Sequence, residues 1–366
     1  MRGRVDQPLL FFSLILVAVG FLIFISASIG LLAKEGAHFG EVAIKQFLFG
    51  IVLGGLLLIG AANTSSKSIR KYCLYFYIFS LFLSFAVFIP GLGFEHGGAL
   101  RWLSIAGFTF QPTELLKLAY LVLLSAWLGA SKTHLQSFKK GFLPLVLILG
   151  LTSIVFFLQR DSDGILILFL ATIACYFIAG GNWKSILSLI LLAVIGASVL
   201  IATRPYLQDR IRTYLNFEQV DSLGIGYQVH QSLIAIGSGG LWGKGFGQSV
   251  QKFQFLPEPI GDSIFAVASE EFGFLGASAL IILFLLFALR GLSIASKTND
   301  TFSRSLATGI VILIITESFV NIGSMLAIIP LSGTPLTFVS QGGSALAVSL
   351  LEVGILLALS RHQKSS

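Results

Sequence analysis

The sequence predicts an all-α polytopic membrane protein, and three observations carry that prediction. Its 366 residues are 55% hydrophobic and only 11% charged, whereas roughly a quarter of an ordinary globular domain is charged. Its mean hydropathy is +0.90. Its apolar residues fall in continuous runs, without the alternation of a transmembrane barrel, and that class is excluded.

A helix needs about 20 apolar residues to cross the hydrocarbon. Runs of that kind occupy approximately 8–32, 44–62, 72–91, 112–129, 141–159, 164–181, 184–203, 263–289, 304–329 and 335–360, so about ten transmembrane helices are expected. The first run follows Met1-Arg2-Gly3-Arg4 and mimics a signal peptide, but its length marks a retained first helix. The sixth and seventh runs are short and nearly fused. An even number of spans puts both termini on one side.

With the termini in the cytoplasm, the inner loops and tails carry Arg2, Arg4, Lys67, Arg70, Lys71, Lys132, Lys139, Lys140, Lys184, Arg290, Lys297, Arg304, Arg361 and Lys364. The short outer loops carry Lys34, Lys45, Arg101 and Arg160. Basic residues gather on the cytoplasmic side of membrane proteins, so both termini are expected there. The segment 204–262 becomes a long extracytoplasmic loop between helices 7 and 8. A loop that long is usually functional, and its glycines around Ser232 to Ile236 suggest short re-entrant or interfacial helices joined by tight turns. No internal repeat or low-complexity tail interrupts the chain, and residues 1–366 read as one domain.

Several function classes drop out. The net charge of +7 is spread between the apolar runs, so no nucleic-acid partner is expected. Cys73 and Cys175 lie inside apolar runs as packing residues. The histidines (His38, His96, His134, His230 and His362) have no metal-ligand spacing. The segment GSGGLWGKGFG (237–247) fails as a phosphate-binding loop, because Ser238 stands where a glycine is required and Gly245 where Ser or Thr is required.

Charge placed against apolar helices points to function, since an ionised group at membrane depth is costly. In LPEPIGDSIFAVASEEFGFLG (256–276), Glu258, Asp262, Glu270 and Glu271 cluster at the start of a span. One of Glu270 and Glu271 is expected to face a polar cavity or a partner such as Arg101 or Lys117. Asp262 follows a rigid Pro-Glu-Pro turn and is open to two readings, a helix N-cap or a general base whose carboxyl is raised at a water-poor rim. Glu114 and Lys117 sit three residues apart on one helix face, either as a buried structural pair or as a cationic site for phosphate. Asp161 and Asp163 flank a turn in Gln159-Arg160-Asp161-Ser162-Asp163-Gly164. Glu317 and Glu352 read as buried hydrogen-bonding groups.

Three segments carry a resemblance over essentially the whole chain: GYQVHQSLIAIGSGGLWGKGFGQSVQKFQFLPEPIGDSIFAVASEEFGFLG (226–276), RWLSIAGFTFQPTELLKLA (101–119) and NIGSMLAIIPLSGTPLTFVSQGGSALA (321–347). The chain resembles the SEDS family (shape, elongation, division and sporulation), polytopic enzymes that polymerise lipid II into peptidoglycan. QSLIAIGSGG and GQSVQK are closer to the division branch, FtsW, than to the elongation branch, RodA. The resemblance departs at Ile260-Gly261-Asp262, where the family usually has His-Thr-Asp. It departs again at Arg160, where the family usually has proline.

The resemblance implies an inverting β-1,4 glycosyl transfer between undecaprenyl-pyrophosphate-linked saccharides. Asp262 would be the catalytic base. Arg101, Gln111, Glu114, Lys117, Asp161, Gln231, Ser232, Lys252 and Glu258 would bind substrate, with Arg204 as a further cation. A divalent cation (magnesium or manganese) could assist the leaving pyrophosphate, and no cofactor is otherwise implied. The implied partners are lipid II, the nascent glycan strand, a class B penicillin-binding protein and other division proteins at the septum of a bacterial cytoplasmic membrane. A lipid II flippase and a catalytically silent scaffold are the rival readings.

Overall fold

A computed structural model describes residues 5–33, 39–96, 99–105, 108–131, 133–216 and 225–361. Met1, Arg2, Gly3, Arg4, Lys34, His38, Gly97, Gly98, Lys132, His362 and Lys364 lie outside the described residues.

In chain order the longer helices are α1 (Gln7–Ile29), α2 (Phe39–Ala62), α3 (Cys73–Ala86), α4 (Pro112–Ala130), α5 (Phe138–Leu158) and α6 (Ser162–Ile178). They continue with α7 (Trp183–Thr203), α8 (Pro205–Leu215), α9 (Ile225–Ser238), α10 (Ile264–Lys297), α11 (Thr301–Met325) and α12 (Gly343–Ser360). Among the described residues eight are long and apolar enough to cross a membrane, and α3 and α6 are shorter apolar helices. Every expected span falls on one of these, while α8 and α9 are the short helices expected in the long loop.

The most buried helices, α4, α11 and α12, form the centre, and α7 is the most exposed. α11 packs against α4, α6 and α10, while α12 runs along the second half of α2. Association of helices in lipid relies on close van der Waals packing, which small residues permit. A Cβ at Gly354 would lie 2.5 Å from the Leu58 carbonyl oxygen, and one at Gly54 would lie 2.7 Å from Leu350 Cδ1.

Three features depart from the expected bundle. Between α3 and α4 lies an antiparallel sheet of β1 (Gly93–His96), β2 (Ala99–Ile105) and β3 (Phe108–Phe110), in that order. Leu103 and Phe110 from it pack on Ala86 and Val87, and β2 carries Arg101.

The second departure is the last span, which starts at Gly343 and not near residue 335. Residues 326–342 are almost entirely irregular, with Pro330 and Pro335 removing two backbone donors. Buried side chains bind this segment. Asn321 Nδ2 donates to the Thr334 carbonyl at 2.8 Å, Gln46 Nε2 to the Ser340 carbonyl at 3.3 Å, and the Gly342 N–H to Gln46 Oε1 at 3.0 Å. Irregular backbone survives at membrane depth where protein satisfies it.

Third, Gly273 breaks α10 with φ 66° and ψ −167°, a conformation open to glycine. The loop before α10 takes up the freed backbone groups. Phe274 N–H donates to the Gly240 carbonyl at 2.8 Å and Leu275 N–H to that of Leu241 at 3.2 Å. In return, Lys244 and Gly245 N–H donate to the carbonyls of Glu270 and Glu271, each at 3.0 Å. The break thus anchors the loop that leads to Asp262.

Candidate active site

Asp262 ends a turn that starts at Pro257. The Glu258 carbonyl accepts from Gly261 N–H at 3.0 Å and from Ser263 N–H at 3.1 Å, and Glu258 itself has φ 45°. Three further bonds pin the backbone: Gln341 N–H to the Ile260 carbonyl, Ser340 Oγ to that of Gly261 and Asn321 Nδ2 to that of Asp262, each at 2.7 Å. The N-cap of α10 is Ser263, and no side chain makes a capping bond there. Capping is therefore not what the Asp262 carboxylate does.

That carboxylate faces Gly333. A Cβ on Gly333 would lie 3.5 Å from Asp262 Oδ2 and 3.6 Å from Arg210 Nη2, so the glycine keeps open a gap between an acid and a cation. Asp163 holds the cation's other side. Its Oδ2 accepts from Arg210 Nη1 at 3.4 Å, Ser332 Oγ at 3.1 Å and Gly333 N–H at 3.2 Å. Burial pushes the Asp262 carboxyl up to about 7, Glu258 and Asp163 push the same way, and Arg210 and Arg101 oppose them. A carboxylate with that affinity accepts a proton at neutral pH, as a general base must.

The other residues expected at the site divide into groups. Arg101 Nε donates to the Gln159 carbonyl at 3.1 Å, a second nitrogen donates to the Arg160 carbonyl, and Nη1 lies 4.0 Å from Asp161. Asp161 caps α6, accepting from Gly164 N–H at 3.1 Å. Glu258 is exposed beside Asp262. Gln111 precedes α4 and donates to Thr113 Oγ1 at 3.2 Å. On α9, Gln231 is half-buried, and Ser232 is buried with its hydroxyl on the Gln228 carbonyl at 2.8 Å. Arg204 stacks over Phe157 at 4.4 Å.

Two expected cations are buried in ion pairs. Lys117 donates to Glu114 at 2.9 Å and directly to Glu317 of α11. Lys252 uses three donors, on Glu271 at 2.7 Å, the Gly247 carbonyl at 2.9 Å and Ser26 Oγ at 3.1 Å. The partners of Glu270 and Glu271 are thus not Arg101 or Lys117. Glu270 binds Lys244 at 2.6 Å and Ser249 Oγ at 2.6 Å, because the break at Gly273 folds the loop back onto both acids.

Among the described residues no three His, Cys, Asp or Glu side chains gather closely enough to hold a metal ion.

A model of the FtsW/RodA/SpoVE proteins, described as "Cell cycle protein", matches residues 7–365. The chain belongs to this family. FtsW/RodA/SpoVE relatives include stage V sporulation protein E of Bacillus subtilis (strain 168), 34% identical over 359 residues that cover 98% of each protein. The probable peptidoglycan glycosyltransferase FtsW of Geobacter sp. (strain M18) is 35% identical over 363 residues, covering 99% of this chain and 98% of that protein. The fold is shared with a chain of a peptidoglycan synthase complex that coordinates polymerization and crosslinking, at TM-score 0.80, 24% identity and 99% coverage of both. It is shared also with rod shape determining protein RodA of Thermus thermophilus, at TM-score 0.70 and 24% identity, covering 99% of this chain and 98% of that one.

Within this FtsW/RodA/SpoVE fold, sequence reasoning missed Arg210, Ser332, Gly333 and Asn321, and read Asp163 only as an acid flanking a turn. Arg210 carries one weak signal, its place in the amphipathic stretch PYLQDRIRTYL of a loop already marked as functional.

Proposed function

We propose that this chain is a peptidoglycan glycosyltransferase that polymerises lipid II. The observation that carries the reading is the Asp262 carboxyl, raised to about 7, free of any capping role and set across Gly333 from Arg210.

In the proposed reaction the 4-hydroxyl of the acceptor's N-acetylglucosamine attacks the anomeric carbon of the growing strand. A C–O bond forms at that carbon as its bond to the pyrophosphate oxygen breaks, and the electron pair leaves with the lipid pyrophosphate. Asp262 takes the hydroxyl proton, which a sugar hydroxyl must lose to become an effective nucleophile. The backbone bonds from Asn321, Ser340 and Gln341 hold the base in place, so little reorganisation is needed at the moment of transfer. Attack from the face opposite the leaving group inverts the anomeric centre.

The division branch is the better fit because relatives at 34–35% identity carry the name FtsW. By analogy with the peptidoglycan synthase complex, the partner is a class B penicillin-binding protein that crosslinks the strands. The setting is the septal cytoplasmic membrane with other division proteins, Asp262 lying on the extracytoplasmic side and both termini inside. The test is polymerisation of lipid II by the purified chain with its cognate transpeptidase. The proposal expects glycan strands; transport of lipid II across vesicles without glycan would favour the flippase reading.

A further inference from the structure

Of the cations singled out from sequence, Arg204 stacks on Phe157, and the other three are held by partners within the protein. Lys117 is enclosed by Glu114 and Glu317, and Lys252 spends its donors on Glu271, Gly247 and Ser26. Arg101 props the 159–161 turn. Arg210 differs from all three. Its Nη1 makes one long contact with Asp163, while Nη2 stands at the edge of the gap over Gly333, opposite Asp262. A guanidinium carries five donors in a planar fork that matches phosphate oxygens.

Arg210 also borders a cavity of about 150 Å³ between α8, α9 and the 327–331 segment. Tyr214, Val229, Leu233, Ile329 and Leu331 form most of its wall, and Arg210 is the charged residue among those lining it. One cation in the lining of an apolar pocket suits a molecule that joins an anionic head to a hydrocarbon. A sugar phosphate gains nothing from the wall, and a plain lipid gains nothing from the cation.

We propose that Arg210 and this pocket form the site for the polyprenyl pyrophosphate head, with Arg210 binding the pyrophosphate and the pocket taking the adjoining isoprene unit. The inference rests on the glycosyltransferase reading and deepens it, since it sets the leaving group across Gly333 from the base. Asp163 is then a positioning residue. It holds Nη1 and leaves Nη2 to the ligand, while Ser332 Oγ and Gly333 N–H fix the carboxylate.

The test is direct binding of farnesyl pyrophosphate and of inorganic pyrophosphate to the purified full chain in detergent. Arg210→Gln is expected to weaken farnesyl pyrophosphate at least about tenfold, as loss of a charge-assisted bond does. Arg210→Lys should recover part of that loss. Val229→Phe, which fills the pocket, should weaken farnesyl pyrophosphate and leave inorganic pyrophosphate unchanged. Unaltered farnesyl pyrophosphate binding in Arg210→Gln, with the wild-type melting profile, overturns the proposal. So does inorganic pyrophosphate binding as tightly as the prenylated form. If Arg210→Gln fails to fold, Arg210→Lys and Val229→Phe decide the same question. Lipid II polymerisation by the wild type is scored separately. A chain that polymerises but binds farnesyl pyrophosphate independently of Arg210 keeps its function and loses this site; one that binds through Arg210 yet makes no glycan does the reverse.

Discussion

Lys117 and Glu317 meet inside the bundle, joining α4 to α11, with Glu114 completing the triad at 2.9 Å from the lysine. All three side chains are buried. Removing one member of such a set strands charge in the interior and costs about 3–5 kcal/mol.

Lys117→Met is therefore expected to abolish activity by loss of folded protein. Melting of the purified chain checks this, and Lys117→Met combined with Glu114→Gln and Glu317→Gln should regain much of the thermal stability. A single variant that melts like wild type while its KM for lipid II rises would place Lys117 on the substrate instead.

Lys252 gives a parallel contrast. Its pairing with Glu271 and Ser26 ties the loop before Asp262 to α10 and α1. Lys252→Ala should lower the melting temperature and reduce kcat through a loosened loop. An unchanged melting temperature with a raised KM would return Lys252 to the substrate site that the family resemblance implies.

The break at Gly273 is a further point of sensitivity. A Cβ there would stand 2.3 Å from the Gly243 nitrogen and 2.7 Å from the Leu241 carbonyl oxygen, in a backbone conformation with φ 66°. Gly273→Ala pays the strain of that conformation, about 1–3 kcal/mol, and the clash besides. Loss of the folded state, or faster proteolysis within 240–250, is the expected outcome.

The raised Asp262 carboxyl also makes a prediction about stability. An acid whose folded value, about 7, exceeds its ordinary 3.8 favours the fold while it is protonated. That contribution is complete below about pH 4 and is lost as pH rises through about 7. Asp262→Asn removes the loss, so the variant should melt a few degrees higher than wild type at pH 8, with the gap closing towards pH 5. A wild type that is the more stable at pH 8 would contradict the raised value.

The apolar runs made the spans legible, because about 20 such residues leave few alternatives to a helix in lipid. Asp262 was legible as a charge where a span begins. The neighbours that surround it were not. Asp163 reads as a loop acid because its partners Ser332 and Gly333 lie 169 and 170 residues away along the chain. Arg210 reads as one more basic residue on a surface helix, and Gly333 as one glycine among many. The tenth run begins too early because 335–342 is apolar enough for a helix, whereas Pro335 and the Gln46 side-chain bonds keep it irregular. Glu270 and Glu271 were conspicuous, yet their partners depend on a loop that folds back only because Gly273 breaks the helix.

The most direct test of the base is the pH profile of lipid II polymerisation by the chain with its transpeptidase, wild type against Asp262→Asn and Asp262→Ala. The wild-type rate should rise with pH through about 7 and level off, as a base that must be ionised requires. Both variants, folded and partner-bound, should lose about 10²–10⁴-fold in rate. Asp262→Asn polymerising at the wild-type rate would contradict the account and put the base elsewhere.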